Sequence, residues 1–298
     1  MDKARIFIIG ARGFLGGHAA RAAKDSFEVV TGGRNTAAEA GSVQIDITDA
    51  SSVDAAFHQV QPDAVLLLAA LSDIDQCEAH PERALATNVR GPENVANACA
   101  RSKARLLFTS SGAVFDGSKH GYAEEDVPTP LSVYGETKAQ AETAVLGILP
   151  ATKVLRIALA IGFAGKTGTN AMLDNLAACW ASGFSVASPT FEFRNPIDAG
   201  TLSRSMLQLL QSEDAAGIFH AGANESVSRY ELNLRLAKRM GYSKDLVQPQ
   251  TEPAPGRAPR GRDHYLMTDR LHAVCKTPVP DCDEVIERSF DEVALGNL

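Results

Sequence analysis

The stretch Arg5-Ile-Phe-Ile-Ile9-Gly10-Ala-Arg12-Gly13-Phe14-Leu15-Gly16 decides the fold. Its first five residues are a short, almost wholly apolar run. Such a run reads as a strand buried on both faces. It ends in a G-x-x-G-x-x-G turn, after which Gly13–Lys24 reads as a helix. Gly10 permits a sharp turn, Gly13 lets the backbone approach a pyrophosphate, and Gly16 lets helix and sheet pack closely. The start of the helix offers N–H groups and a partial positive charge to phosphates. A glycine turn of this kind, opening the first strand–helix unit of an α/β chain, points to a dinucleotide. Arg12, Phe14 and Leu15 fall against the same ligand.

Outward from this turn, the same alternation repeats. Glu28–Thr31, Ala64–Leu68, Arg105–Thr109 and Lys153–Ile157 are strand-like runs, and Val43–Ile45 is a shorter one. Ser51–Gln59, capped by Asp49, Pro81–Ser102 and Ser132–Leu149 read as the helices between them. Strand, helix, strand, repeated, predicts a doubly wound parallel Rossmann sheet. After Gly162 the rhythm changes. Gly165–Thr169 reads as a loop, Asn170–Ala181 as a helix, and Phe184–Ala187 as a short piece before a turn. A helix follows over Thr201–Leu210, then a strand at Gly217–His220. Ser228 caps a helix running to Met240, with Glu231 completing a capping box. Pro249–Arg262 holds four prolines and two glycines and reads as a loop, and Asp283–Phe290 as a last helix. The expected organisation is a dinucleotide-binding domain over 1–165, with a returning segment near 193–222. A smaller mixed α/β substrate lobe takes 166–192 and 223–298.

The chain has 298 residues, a formal net charge of −7 and 45% hydrophobic residues. Those values exclude a disordered chain or a fibre. No sequence-wide basic field exists to hold a nucleic acid. Five scattered cysteines, none in C-x-x-C spacing, predict neither a metal site nor a disulfide framework. The N-terminus lacks a signal-peptide h-region, and no apolar run reaches the ~18 residues of a membrane span. A cytoplasmic protein with no membrane partner is expected.

The end of the second strand bears on the cofactor. NAD(H) favours an acidic residue there for the ribose 2′-hydroxyl. This chain has Thr31-Gly-Gly-Arg34. A guanidinium suits a 2′-phosphate, so NADP(H) is favoured, with NAD(H) as the other option. Next comes Tyr134-Gly-Glu-Thr-Lys138. Residues four apart share a helix face. An ammonium beside a phenol stabilises phenolate and lowers its pKa towards a range useful for proton transfer. Upstream, Thr109-Ser110-Ser111 ends a strand, where a serine hydroxyl can bind a carbonyl oxygen. A glycine turn, serines ending a mid-chain strand and Y-x-x-x-K on the following helix, in that order, form a specific combination.

In that combination the chain resembles an extended short-chain dehydrogenase/reductase. Within it, the sequence is most similar to the dTDP-4-dehydrorhamnose reductase-like, sugar-nucleotide-modifying branch. The residues that carry the likeness are Gly10–Gly16, Asp46-Ile-Thr-Asp49, Leu68-Ala-Ala70, Asp75, Glu78, Pro81 and Asn88. They continue through Ser110-Ser-Gly-Ala-Val-Phe-Asp-Gly117, Tyr134–Lys138, Gly217–His220 and Ser228–Glu231. The resemblance implies Tyr134 as proton donor, Lys138 as its partner on the cofactor ribose, and Ser111 as the group that orients the substrate carbonyl. It places Asp46 and Ile47 at the adenine, and Leu68, Ala69 and Ala70 along the path to the nicotinamide ribose. It also implies a homodimer packed through the long helices. Departures from the branch pattern at Ser110–Ala113, at Ile157-Ala-Leu159 and at Arg257-Ala-Pro259 fall where a sugar would sit.

The substrate candidates are therefore Ser72, Ser111, Gly112, Leu159, Arg194 and Arg257. Thr87 and Asn88 are lesser candidates. Arg260 and Arg262 are further basic groups available for a diphosphate. His220 and His264 have no metal-like companions and read as structural. The expected activity is reduction of a keto group on a nucleotide-linked deoxysugar or similar small polar carbonyl. An epimerase or dehydratase that retains NAD and a non-catalytic NADP-sensing regulatory protein are the alternatives.

Overall fold

The computed structural model describes residues 3–34, 41–164 and 172–294. The expected loop Gly165–Thr169, the start of the helix expected from Asn170 and the boundary at 165/166 lie outside them. Seven parallel strands form the central sheet. These are β1 (Arg5–Ile9), β2 (Glu28–Gly33), β3 (Ser42–Gln44), β4 (Ala64–Leu67), β5 (Arg105–Ser111), β6 (Lys153–Ile157) and β11 (Gly217–Ala221). Their order is β11-β6-β5-β4-β1-β2-β3. The chain runs from β1 outward to β3, then returns to β4 on the other side of β1. That reversal opens a crevice at the carboxyl ends of β1 and β4, where ligands of open α/β sheets bind. The doubly wound sheet expected from the sequence is present.

Alternation along β1 builds two cores at once. Ile6 and Ile8 face one layer, with Leu66, Leu107 and Leu155; helices α1 (Phe14–Ala23) and α8 (Ala199–Gln211) cover it through Ala19, Leu202 and Met206. Phe7 and Ile9 face the other, under α2 (Ala50–Val60), α5 (Gly91–Ser102) and α6 (Val133–Ile148). Period-two side-chain direction is thus met on both faces by apolar helix stripes. Leu271 and Cys275, from α10 (Asp269–Val274) and its end, join the first core.

The run 81–102 is helical throughout but not one α-helix. After α3 (Ile74–Ala79) comes α4 (Pro81–Leu85), then a π-helical turn over Ala86–Arg90, then α5. Pro92 lacks the N–H that would continue the α ladder, and the extra residue is absorbed just before it. This turn puts Asn88 inside the protein, where it accepts from Leu71 N at 2.8 Å and donates to Leu71 O at 3.0 Å and to Thr137 Oγ1 at 3.3 Å.

A third core is built by α7 (Met172–Ala181), α9 (Arg229–Arg239) and α11 (Cys282–Ala294) around Trp180, Leu232, Leu236 and Ile286. Small strands frame it. β7 (Leu159–Ile161) pairs with β10 (Pro196–Asp198), and β8 (Val186–Pro189) with β13 (Val247–Gln250). β9 (Phe193–Arg194) lies between β12 (Val227–Ser228) and β14 (Asp263–His264). The expected loop from Pro249 therefore begins as strand β13. Ser228 does cap α9, accepting from Glu231 N at 3.0 Å, but the Glu231 carboxylate turns to Arg235, so the capping box is half made.

Candidate active site

The sheet's carboxyl edge opens into a cleft of about 1260 Å³ that continues between the sheet and the third core. At one end, Gly10 has φ +95°, and a Cβ there would stand 2.7 Å from Ala69 N. A Cβ on Gly16 would stand 2.2 Å from Gly10 O. Both positions therefore require glycine, and the backbone of the turn is left open to the cleft. Helix α1 starts at Gly13 with no side-chain cap and no acidic residue in its first turn. Such an N-terminus favours an anion. Arg12, Phe14, Leu15, Leu68, Ala69 and Ala70 line the same end.

Arg34 and Asp46 come together at the cleft's edge. The Asp46 carboxylate accepts from Thr48 N at 3.0 Å and Oγ1 at 2.8 Å. Those hydrogen bonds, with Arg34 nearby, hold it below the usual carboxylate range. Ile47 is fixed by Asn94, which donates to its carbonyl at 2.9 Å, and by contact with Gly91, where a Cβ would stand 2.6 Å from the Ile47 side chain.

Strand β5 runs two residues further than its apolar pattern suggests, because Ser110 and Ser111 pair with Arg156 and Ile157 of β6. Ser111 ends it and caps a 3₁₀ turn, accepting from Ala113 N at 3.1 Å. Tyr134 and Lys138 lie one turn apart on α6, which Ser132 caps, and both line the cleft with Ser111. Burial pushes the Tyr134 phenol up to about 12, against the pull of a hydrogen bond from Ser111. Lys138 is buried, donates to Thr109 O at 2.7 Å and lies over the Phe108 ring. Burial brings its ammonium down to about 8, opposed by Glu142 one turn on. The expectation that Lys138 lowers the phenol pKa is corrected here. Desolvation dominates at Tyr134 and the lysine is directed at a carbonyl. Glu142 is itself held by Ser110 and by a buried pair with Arg156 at 2.6 Å.

Of the expected site residues, Thr87, Asn88 and Arg262 do not line the cleft, and neither does Gly112. It is buried, and a Cβ there would meet His264 at 3.3 Å, so it serves packing. Ser72 and Leu159 do line the cleft, as do Ala113, Leu131 and Ala158. His264 Nε2 donates to Phe115 O at 3.1 Å, while His220 Nε2 accepts from Arg156 Nη1 at 3.3 Å; burial, with Arg194 near the first and Arg156 near the second, brings both down to about 3, so both are neutral.

The far end of the cleft is cationic. Strand alternation turns Glu192 and Arg194 inward and leaves Phe193 outward. Antiparallel pairing of β9 with β12 sets Arg229 beside Glu192, and Arg229 N donates to Glu192 O at 2.9 Å. Arg257 Nη1 lies 2.9 Å from Glu192 Oε1, and Arg194 Nη2 3.9 Å from Oε2. Arg194 is engaged with the carbonyls of Phe193, Gly261 and Arg262. Its guanidinium pins β9 to the segment before β14. Arg229 and Glu192 were not singled out by sequence; their places depend on strand pairing distant in the chain. The segment 251–262 crosses the cleft as a strap. It is fastened to α3, where Arg260 grips Asp75 at 2.8 Å and Ala258 N donates to the same carboxylate at 2.8 Å.

The model of one family, the RmlD substrate binding domain, matches residues 4–295. The chain belongs to the RmlD substrate binding domain family. The chain is 30% identical to the Xenopus tropicalis methionine adenosyltransferase 2 subunit beta over 91% of this chain and 82% of that one. It is 29% identical to the Haloferax volcanii "Probable low-salt glycan biosynthesis reductase Agl14" over 81% of this chain and 82% of that one. Its fold is that of the dTDP-4-dehydrorhamnose reductase of Bacillus anthracis, solved in complex with NADP. The TM-score is 0.88 at 22% identity, over 97% of this chain and 99% of that one. The RmlD family is the branch that the sequence motifs resemble.

Proposed function

We propose that the protein is an NADP(H)-dependent reductase of a keto group on a nucleotide-linked deoxysugar or a similar small polar carbonyl. One observation carries this reading: a single cleft joins the glycine turn, then Ser111, Tyr134 and Lys138, then an arginine cluster. The backbone at Gly10, Gly13 and Gly16 and the start of α1 would hold the pyrophosphate of the cofactor. Arg34 would hold its 2′-phosphate, Asp46 and Ile47 would flank the adenine, and Lys138 would reach the ribose. When bound, the reduced nicotinamide supplies the hydride.

The chain's own residues supply the proton and the orientation. A phenol raised to about 12 is protonated at neutral pH, which suits a donor to a nascent alkoxide. Ser111, bonded to that phenol, would position the carbonyl oxygen. Arg229 and Arg257 would meet the diphosphate of the substrate. The Haloferax relative's description as a reductase and the NADP in the Bacillus structure agree with this reading.

The test is consumption of NADPH and NADH against a panel of nucleotide-4-ketosugars, preceded by a spectrum of the purified protein. NADPH oxidation with one of them supports the proposal. Retained NAD with conversion but no net consumption would instead identify an epimerase, and cofactor binding without turnover a sensor.

A further inference from the structure

We infer that Glu192 is an exchangeable counter-ion: its carboxylate holds Arg257 until an anionic ligand group takes that place, and it thereby sets the charge a ligand must carry. The argument begins with a charge imbalance. Arg194, Arg229 and Arg257 surround Glu192 on the cleft wall, three cations to one anion. Asp263 also acts on Arg194, but its carboxylate is committed to His120 at 2.7 Å and to Tyr265 N at 2.8 Å. Of the three cations, Arg194 is buried and Arg229 half-buried, and a cation withdrawn from water needs a partner. The Arg229 side chain makes no hydrogen bond among the described residues, and Arg194 is engaged with carbonyls. The cluster is thus built for more negative charge than Glu192 brings.

Geometry singles out the Arg257 contact as the one that can exchange. Arg194 is locked by carbonyls from two segments. Among the described residues, Arg257 is held through its side chain by Glu192 alone, and it is about a third exposed while Glu192 is buried. Arg257 sits on the strap, beyond regular secondary structure. A diphosphate bridging Arg229 and Arg257 would replace one carboxylate contact by several charge-assisted bonds. A neutral or weakly charged group would not displace it. This inference rests on the nucleotide-sugar reading only for the natural source of the anion.

The experiment uses the full chain saturated with NADP⁺, so that the glycine turn is filled, and measures binding of inorganic pyrophosphate and of UDP by calorimetry. Glu192→Gln is expected to bind both about tenfold more tightly, since one competing charge at close range has been removed, and uridine no more tightly. Equal or weaker pyrophosphate binding by a folded Glu192→Gln would overturn the proposal. Should that variant not fold, the wild type decides. A crystal structure with NADP⁺ and UDP is expected to show Glu192 and Arg257 more than about 4 Å apart, with phosphate oxygens on Arg229 and Arg257. An intact Glu192–Arg257 pair in that complex would sink it. Turnover of a nucleotide sugar with unchanged affinity in Glu192→Gln would remove the counter-ion role alone. Tighter pyrophosphate binding with no sugar turnover would remove the substrate reading alone.

Discussion

At the scale of single residues, the site combines a phenol that keeps its proton with a lysine near its own titration point. Tyr134→Phe removes the proton and little else from the cleft. Turnover is expected to fall about a hundredfold or more, with NADPH affinity close to wild type. Stopped assays and fluorescence titration of NADPH check the two halves of that statement separately; unchanged turnover would strip Tyr134 of its role. Arg34 governs a different quantity. Arg34→Ala is expected to weaken NADPH binding about tenfold through loss of a charge-assisted contact, with NADH little changed. Equal losses for both cofactors would place Arg34 outside the 2′-phosphate site. These residues were legible because each sits at a fixed offset from a motif. Arg229 and Glu192 were not, since neither lies in one, and the β9–β12 pairing joins segments over thirty residues apart.

At the scale of elements, the sheet was readable and its exceptions were local. Arg5–Ile9 and Lys153–Ile157 form strands over the expected residues, because a short run rich in Ile, Leu and Val has its stable place inside a covered parallel sheet, where Arg156 of the second run is buried against Glu142. The strand at 105 outruns its apolar run, since Ser110 is satisfied by Glu142, a partner 32 positions away that no window contains. The helix from Pro81 takes its π turn for the sake of Pro92 and Asn88. Two-residue strands such as β9, β12 and β14 carry no periodicity at all, and only tertiary pairing defines them. Helix α1 bears the sharpest element-level prediction. Gly16→Ala would drive a methyl into Gly10 O, pushing the helix off the turn. A loss of about 1–3 kcal/mol in unfolding free energy is expected, with NADPH binding impaired as well. Urea melts and cofactor titration read both; a variant with wild-type values in each would show that the turn can yield.

At the scale of the whole molecule, the fold buries two neutral imidazoles. His220 and His264 have pKa values near 3, while their unfolded forms titrate near 6.5. Between those values the unfolded chain binds protons that the folded chain refuses. Stability is therefore greatest above pH 6.5 and falls as pH drops, by about 1.4 kcal/mol per pH unit for each histidine. Urea melts at about pH 6.5 and 5.5 measure it, above the range where most carboxylates titrate. His264→Gln is expected to remove about half of the slope, and an unchanged slope would assign it elsewhere. His272, whose pKa burial also lowers, adds in the same direction.

The strap across the cleft has a consequence for how the two halves of the molecule act on each other. Arg257 anchors it at Glu192 and Arg260 at Asp75, with Pro259 stiffening the chain between. A stiff tether does not absorb a pull; it hands it on. Were Arg257 to change partner at one anchorage, the pull would reach Asp75, on the short helix that follows the Leu71 backbone clamped by Asn88. What the strap holds at Glu192 would then be felt at Ser72 and Ile74 on the cleft wall, through the chain itself.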